Sequence, residues 1–467
     1  MYKPLDDATI KEIETIVGTE NVLMDREKME DYSHDEYALD TFKTYPEIVV
    51  KPGTTSEIAR IVQIANQRHF AVVARGGATG LCGGSVPIFN GVVVSLERMN
   101  RILEIDTENL MVTAEAGLTL RDFYAALKER RLFFPPHPGE ESATLGGIIA
   151  TNAGGARAVK YGTVRSFVRG IEAVLADSSV IEAGGKLIKD STGYSMLHLL
   201  TGSEGTLGII TRAVISVMPK PEMTTTIIIP YETLGMALSS VTPILCGGIQ
   251  PLAIEFISKK IIKISEDYLG KSWPVKPGEV YLMVILEGDE AFLAKTSEKL
   301  AEICLERGAI DIFVAQAQEK QDEILHLRSM VYEALKANTI EILDITLPRT
   351  EMEPHIATID GISKEYGVWL PTYGHAGDGN LHTHIMKIAP DGTCIADWQK
   401  IYPVVRRQIH EDAFKRKGKI SGEHGIGLIK KEYIEQSIGS PMLNAMRRIK
   451  KALDPNNILN PGKIFDM

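Results

Sequence analysis

Cysteine is scarce in this chain of 467 residues: Cys82, Cys246, Cys304 and Cys394 stand far apart. They form neither a CxxC pair nor a zinc-finger spacing, which argues against a disulfide framework and a cysteine-ligated iron–sulfur cluster and predicts a reducing, cytoplasmic setting. Long apolar runs are missing too. No stretch approaches the roughly 20 apolar residues of a membrane span, and the segment Met1 to Asn21 is charged and amphipathic rather than shaped like a signal peptide. Blocks of one charge are also absent. Against 61 acidic residues stand 51 basic ones, a net charge of -10, and no Lys/Arg cluster resembles a nucleic-acid footprint. The glycine-rich stretch 75–85 is neither a GxGxxG fingerprint nor a Walker A loop, since it lacks both the glycine spacing and the Gly-Lys-Ser/Thr ending. A chain of this length buries a large core and divides into two or three domains.

Glycine, by contrast, is plentiful and clustered. Ahead of the first cluster, a helix over 7–17 and a charged, aromatic segment running to Tyr45 read as an arm over residues 1–45. At Pro46 the character changes. Residues 47–50 form a short strand, Thr54-Thr55-Ser56-Glu57 is a capping box, and Ile58, Ile61, Val62 and Ala65 recur at helical spacing behind it. A strand over 70–74 enters the loop Arg75-Gly76-Gly77-Ala78-Thr79-Gly80-Leu81-Cys82-Gly83-Gly84-Ser85. Its glycines let backbone N–H groups crowd around an anion, although a plain surface loop has the same composition. Beyond Pro138-Gly139, two Gly-Gly pairs within 142–155 allow backbone to approach a large flat ligand. A hairpin turning at Asp177-Ser178-Ser179 leads to Gly202-Ser203-Glu204-Gly205-Thr206-Leu207-Gly208. The strand after it ends before Pro219 and Pro221, where a domain boundary is expected. From Thr224 strands and helices alternate as far as a helix over 319–335, which predicts ferredoxin-like units with helices on one face of a sheet. A strand (340–346), a helix (352–366) and helical tail segments (398–416 and 442–453) follow.

Histidines cluster as well. Four of the eleven fall in the stretch 373–384 and in Ser421-Gly422-Glu423-His424-Gly425-Ile426-Gly427. Three glycines between residues 374 and 379 disfavour a helix and place His375 on a loop. Alternation then sets Leu381, Thr383 and Ile385 on one side of a strand and His382, His384 and Met386 on the other. A loop histidine, one or two strand histidines and the distant Glu423 offer a mixed nitrogen and oxygen site for a divalent metal, with His424 left to handle protons. His384 is a reserve ligand or a substrate-facing neighbour. A metal hydrolase whose glycine loops bind a nucleotide would use the same residue types, so at this level the reaction stays open.

Seven motifs in one fixed order carry the reading further: Pro52-Gly53-Thr54-Thr55-Ser56-Glu57-Ile58, the 75–85 loop, the 145–155 run, the 202–208 run, Gly374-His375-x-Gly377-Asp378-Gly379-Asn380-Leu381-His382, the 421–427 run and Asn460-Pro461-Gly462-Lys463. Together they resemble the FAD-linked 2-hydroxyacid dehydrogenases of the vanillyl-alcohol-oxidase/PCMH superfamily, the group of glycolate oxidase D subunits and D-lactate and D-2-hydroxyglutarate dehydrogenases. The resemblance implies an α+β chain: a PCMH-type two-subdomain FAD-binding domain (46–220), a ferredoxin-like α/β cap domain for the substrate (221–415), and a helical C-terminal segment (416–467) that returns to complete the active site. It implies that Arg75, Gly76, Gly77, Ala78, Thr79, Gly80 and Ser85 hold the FAD pyrophosphate. Pro138, Gly139, Ser142, Leu145, Gly146, Gly147 and Asn152 would take the ribityl and isoalloxazine region, Glu204, Gly205, Gly208 and Ile210 the adenine side, and Asn460 the flavin edge. Superfamily members often attach FAD through a histidine in the first glycine loop; Gly77-Ala78-Thr79-Gly80 has none, so the FAD is expected to be non-covalent.

By the same resemblance His375, His382 and Glu423 ligate one divalent metal (iron, zinc or manganese), His424 is the base, and Arg328 or Arg349 binds the substrate carboxylate. Hydroxyglutarate members resemble one another in carrying a lysine near residue 342, where this chain reads Glu341-Ile342-Leu343-Asp344. An apolar residue there favours a short 2-hydroxyacid such as D-lactate or glycolate. Lacking a nicotinamide fingerprint and cluster cysteines, the protein is expected to pass electrons to a partner, an electron-transfer flavoprotein or an iron–sulfur subunit. A competing reading is a flavin-binding electron-transfer subunit with no substrate chemistry of its own, against which the complete His/His/Glu/His set argues.

Overall fold

The computed structural model describes residues 2–37 and 42–467, so the part of the aromatic segment at 38–41 lies outside the described residues. Two compact units emerge. The first comprises Met1–Gly154, Thr163–Pro219 and Glu423–Met467, and the second Gly155–Gly162 and Lys220–Gly422.

The first unit holds two main sheets and a two-stranded ribbon that pairs Leu132–Phe133 with Met218–Pro219. In one, Ile48–Val50 and Val72–Arg75 flank Val92–Ser95 in parallel, and Val22–Leu23 adds an antiparallel edge that the sequence reading of the arm had not included. The β-branched runs of Ile48–Val50 and Val92–Ser95 are buried throughout, as strands covered on both faces require. Thr54 caps the crossover helix Thr55–Arg68 by accepting from the Glu57 amide, while the Glu57 carboxylate accepts from the Gly53 amide at 2.7 Å. The spacing of Ile58, Ile61, Val62 and Ala65 leaves all four fully buried. The second sheet is antiparallel and orders Ile102–Asp106, Met111–Glu115, Ile209–Ser216, Val168–Val174 and Val180–Gly184.

The tail closes this unit. Leu459 pairs with Val72 at the edge of the parallel sheet, through Val72 N–H to Ile458 O and Asn460 N–H to Val72 O, both 2.8 Å. A buried ion pair holds the turn that makes this possible. Lys450 Nζ donates to Asp454 Oδ2 (2.5 Å) and to the Thr206 and Leu459 carbonyls (2.8 Å each), and Asp454 also accepts from the Ile458 and Leu459 amides.

The second unit is built on one seven-stranded antiparallel sheet, ordered Phe313–Ala315, Met223–Tyr231, Val280–Gly288, Ala253–Ser258, Thr372–His375, Asn380–Met386 and Thr339–Thr346. Helices cover both faces, not one. Ile228, Ile257 and Met283 pack with Ile261, Ile324, Leu327 and Val331 on one side. On the other side Tyr231, which alternates with Ile228, hydrogen-bonds Ser240 of the helix Leu234–Cys246 at 2.9 Å. Periodicity reports which residues share a face, and it is silent on whether the second face is also covered. The helix expected over 319–335 is two, Gln318–Ser329 and Val331–Lys336, with the Ser329 hydroxyl turned back to the His326 carbonyl at the break. His375 ends a strand instead of sitting on a loop. Gly374 pairs with Leu381 so closely that a Cβ there would lie 2.2 Å from the Asn380 carbonyl, so this glycine serves strand approach, not a turn. No helix among the described residues is long and apolar enough to cross a membrane.

Replacing Lys450 by Met would leave the Asp454 carboxylate buried without its cation. We expect the substitution to cost about 3–5 kcal/mol and to lower the melting temperature of the FAD-loaded protein by about 10 °C, read by circular dichroism; a shift below about 2 °C would show that the pair does not hold the tail.

Candidate active site

In the first unit the strand Val72–Arg75 runs directly into the first glycine loop. Its glycines divide into two kinds. A Cβ on Gly76 would lie 2.2 Å from Thr144 Oγ1, and one on Gly77 2.6 Å from the Ser142 carbonyl, so these two let the loop pack on segment 142–144. The double-glycine run beyond is a short helix, Leu145–Thr151, capped by Thr144. There the Gly146 amide donates to the Ala116 carbonyl (2.7 Å), and a Cβ would meet Ala116 at 2.7 Å. Gly84 and Gly139 have nothing within 4 Å of a Cβ position, and Gly147 would meet only Thr144 Oγ1 at 3.2 Å. This second kind leaves backbone accessible beside the loops, as a cradle for a flat cofactor needs.

Several polar residues assigned to FAD by resemblance spend their side chains on the loops themselves. Arg75 donates to the His34 carbonyl (2.8 Å) and the Asp31 carbonyl and reaches Ser85 Oγ at 3.4 Å, tying the arm to the loop. Asn152, in the left-handed region, accepts from Thr163 Oγ1 and the Arg165 amide. Glu204 takes the amides of Ile426 (2.8 Å) and Gly427 (2.7 Å), one on each oxygen. Asn460 Nδ2 donates to the Gly84 and Glu204 carbonyls. Around Gly205 and Gly208 the chain passes Asn460, Leu175 and Leu200, and Ile210 is buried in the sheet. Ala78 takes a left-handed conformation between Gly77 and Thr79, and Pro138 is buried beside the open Gly139. Glu423 and His424 also belong to this unit. The carboxylate of Glu423 lies where a Cβ on Gly154 would be, 2.6 Å from it, and His424 Nε2 is 3.9 Å from Glu423 Oε1.

In the second unit, strand register gathers the other candidates. Glu255 stands opposite His375, Tyr373 opposite His382, and Asp344 opposite His382 on its other side. The Nε2 atoms of His375 and His382 are 3.3 Å apart, with the rings perpendicular. That is a hydrogen-bond distance, and it is also the separation of roughly 3.3–3.4 Å that two imidazole nitrogens adopt on one tetrahedral metal with bonds of about 2.0–2.1 Å. Both rings have carboxylates behind them. His375 Nδ1 donates to Glu255 Oε1, and His382 Nδ1 is 4.0 Å from Asp344 Oδ1. Burial alone would push the Glu255 carboxyl up, but His375 and Arg328 outweigh it and hold it at about 2. Asp344 is fully buried and accepts from Asn380 Nδ2 (2.8 Å), Ser421 Oγ (2.8 Å) and the Gly422 amide (2.9 Å).

His384 has both ring nitrogens engaged, Nδ1 with Thr339 Oγ1 at 2.9 Å and Nε2 with Tyr373 OH at 3.1 Å. Of the two arginines, Arg328 donates to Glu255 Oε2 at 2.6 Å and lies over the Tyr373 ring. Arg349 is exposed, donates from Nε to the Gly377 carbonyl at 2.7 Å, and has no carboxylate partner among the described residues. Glu255, Asp344 and Tyr373 were not singled out from the sequence. A signal existed for the two acids: Glu255 is the lone carboxylate of the strand Ala253–Ser258, and Asp344 shares an otherwise largely apolar strand, Thr339–Thr346, with Glu341, where a charge must find a partner.

Solved flavoprotein structures share this architecture. p-Cresol methylhydroxylase with substrate bound aligns with a TM-score of 0.80 over 100% of this chain and 99% of its own, at 18% identity. The 4-ethylphenol oxidase of Gulosibacter chungangensis gives 0.80 over 98% and 97%, at 20% identity. The model of the FAD binding domain matches residues 46–184, and that of the C-terminal domain of FAD linked oxidases residues 220–464. Relatives in sequence include the D-lactate dehydrogenase of Archaeoglobus fulgidus, 43% identical over 89% of this chain and 91% of the relative. Glycolate oxidase subunit GlcD of Bacillus subtilis is 37% identical over 93% and 92%. The class is thus a two-domain flavin oxidoreductase. The chain belongs to the FAD-linked oxidase family, and FAD is its cofactor.

With no histidine in the 77–80 loop, acid precipitation of the yellow protein is expected to release the flavin into the supernatant. Flavin absorbance retained in the washed pellet would show covalent attachment.

Proposed function

We propose that the protein is a dehydrogenase of short D-2-hydroxyacids, D-lactate foremost, and that it hands its electrons to a protein such as an electron-transfer flavoprotein or an iron–sulfur subunit. The observation that carries this reading is the pair of buried imidazoles, His375 and His382, meeting at Nε2 with a carboxylate behind each ring. Relatives named D-lactate dehydrogenase support the choice of substrate.

His375 and His382 supply two ligands for a divalent metal, iron, zinc or manganese. Glu423 is the third ligand in this reading, a carboxylate next in the chain to Gly422. A metal held there would supply Lewis-acid assistance to loss of the substrate hydroxyl proton, and bound FAD would supply the hydride acceptor. His424 takes the hydroxyl proton as its neutral imidazole. Arg349, with no carboxylate partner among the described residues and oriented through its Nε bond to Gly377, binds the substrate carboxylate, while Arg328 stands by with its charge already met by Glu255. Ile342 faces the same side of the sheet as His384 and closes it with apolar surface, which suits a short side chain over a second carboxylate. The scattered cysteine positions in the sequence, without CxxC spacing, support a cytoplasmic setting.

This hypothesis predicts that Glu423→Gln and His424→Ala each retain FAD yet lose flavin bleaching by D-lactate by at least about a hundredfold. Bleaching at the wild-type rate in either variant would remove that residue from its role. Protein purified without chelator should carry about one metal ion per chain; a substrate panel in which D-lactate fails while 2-hydroxyglutarate bleaches the flavin would overturn the substrate assignment.

A further inference from the structure

We propose that Glu255 is the positioning residue of the second unit, a single carboxylate that sets His375 and Arg328 in place together, one oxygen for each. The proposal rests on the reading of His375 as a metal ligand. Its geometric basis is the strand register, which brings Glu255 opposite His375 from a sequence distance of 120 residues. The side chain is 2% exposed and lies between Ile254 and Phe256 in an otherwise apolar strand. A carboxylate there is tolerated only when both oxygens are answered. Here Oε1 accepts from His375 Nδ1 and Oε2 from Arg328 Nη2 at 2.6 Å.

The division of labour between the oxygens has a chemical consequence. An ionised carboxylate only accepts, so the proton of a neutral His375 must sit on Nδ1, and Nε2 presents its lone pair toward His382. Arg328, stacked 4.7 Å from the centre of the Tyr373 ring, likewise needs an acceptor. A glutamine at 255 has one acceptor and one donor group, and two donors face it. The arginine, being charged, takes the amide oxygen. The amide NH2 then faces His375 Nδ1 and favours the opposite tautomer, with the proton on Nε2, where it blocks ligation.

The test uses the FAD-loaded full chain and zinc(II), with affinity measured by competition against a chromophoric chelator and the His375 tautomer read from imidazole 15N shifts of the metal-free protein. Glu255→Gln is expected to keep FAD, to weaken zinc binding about 10–100-fold, and to move the His375 proton from Nδ1 to Nε2. Glu255→Gln/Arg328→Met frees the amide oxygen to turn to His375, and its zinc affinity is expected within about threefold of wild type; this variant also keeps the test open should the single one fail to fold. Zinc affinity of Glu255→Gln within twofold of wild type, an unchanged tautomer, or a double variant as weak as the single one would each overturn the proposal. His375→Ala separates the two levels. If it loses zinc while Glu255→Gln does not, the metal reading stands and the role of Glu255 falls; if it binds zinc like wild type, both fall.

Discussion

A charge taken out of water has to be answered inside the protein, and this chain meets that constraint with buried carboxylates that each gather several donors. Glu255 is answered by an imidazole and a guanidinium, those of His375 and Arg328. Asp344 is answered by neutral donors, Asn380, Ser421 and the Gly422 amide, the last of them 78 residues away. Asp454 is answered by Lys450 and two backbone amides. The difference in partners matters. Asp344 lies 4.0 Å from His382 Nδ1, whereas Glu255 divides its oxygens between His375 and the Arg328 guanidinium. Placement of the candidate ligands therefore depends on buried electrostatics rather than on loop conformation.

The same economy appears around the flavin loops. Arg75, Asn152, Glu204 and Asn460 direct their polar groups at backbone carbonyls and amides of neighbouring loops. Loops rich in glycine have few side chains with which to hold one another, so the few polar residues among them do that work. What remains for a ligand is backbone at Gly84 and Gly139, where no protein atom lies within 4 Å of a side-chain position, and at Gly147, where only Thr144 Oγ1 approaches it. Glycines that look alike in sequence thus split into those packed against protein and those left open.

Much of the fold could be read from period and punctuation. The helix Met352–Tyr366 falls where its pattern put it, and the strands of the second unit follow their apolar runs closely, because both are local signals. The histidine stretch was legible as a site for a related reason, since clustered histidines and glycines are a local oddity. What could not be read was pairing. Glu255 meets His375 only through antiparallel register, Arg328 meets Glu255 only once two helices have covered that face, and Gly374 reveals its purpose only when Asn380 lies against it. The two-sided covering of the sheet belongs to the same class of information: it depends on where helices return, and no single strand records it.

The way the tail rejoins the first unit bears on the order in which the protein can be made. The second unit has all its strands once the ribosome has passed Gly422, but the parallel sheet of the first waits for Leu459 to take its place beside Val72, and the first glycine loop waits for Asn460. The cofactor domain starts ahead of the second unit in the chain and is completed after it. During synthesis the strand edge at Val72 stays open while several hundred residues are added.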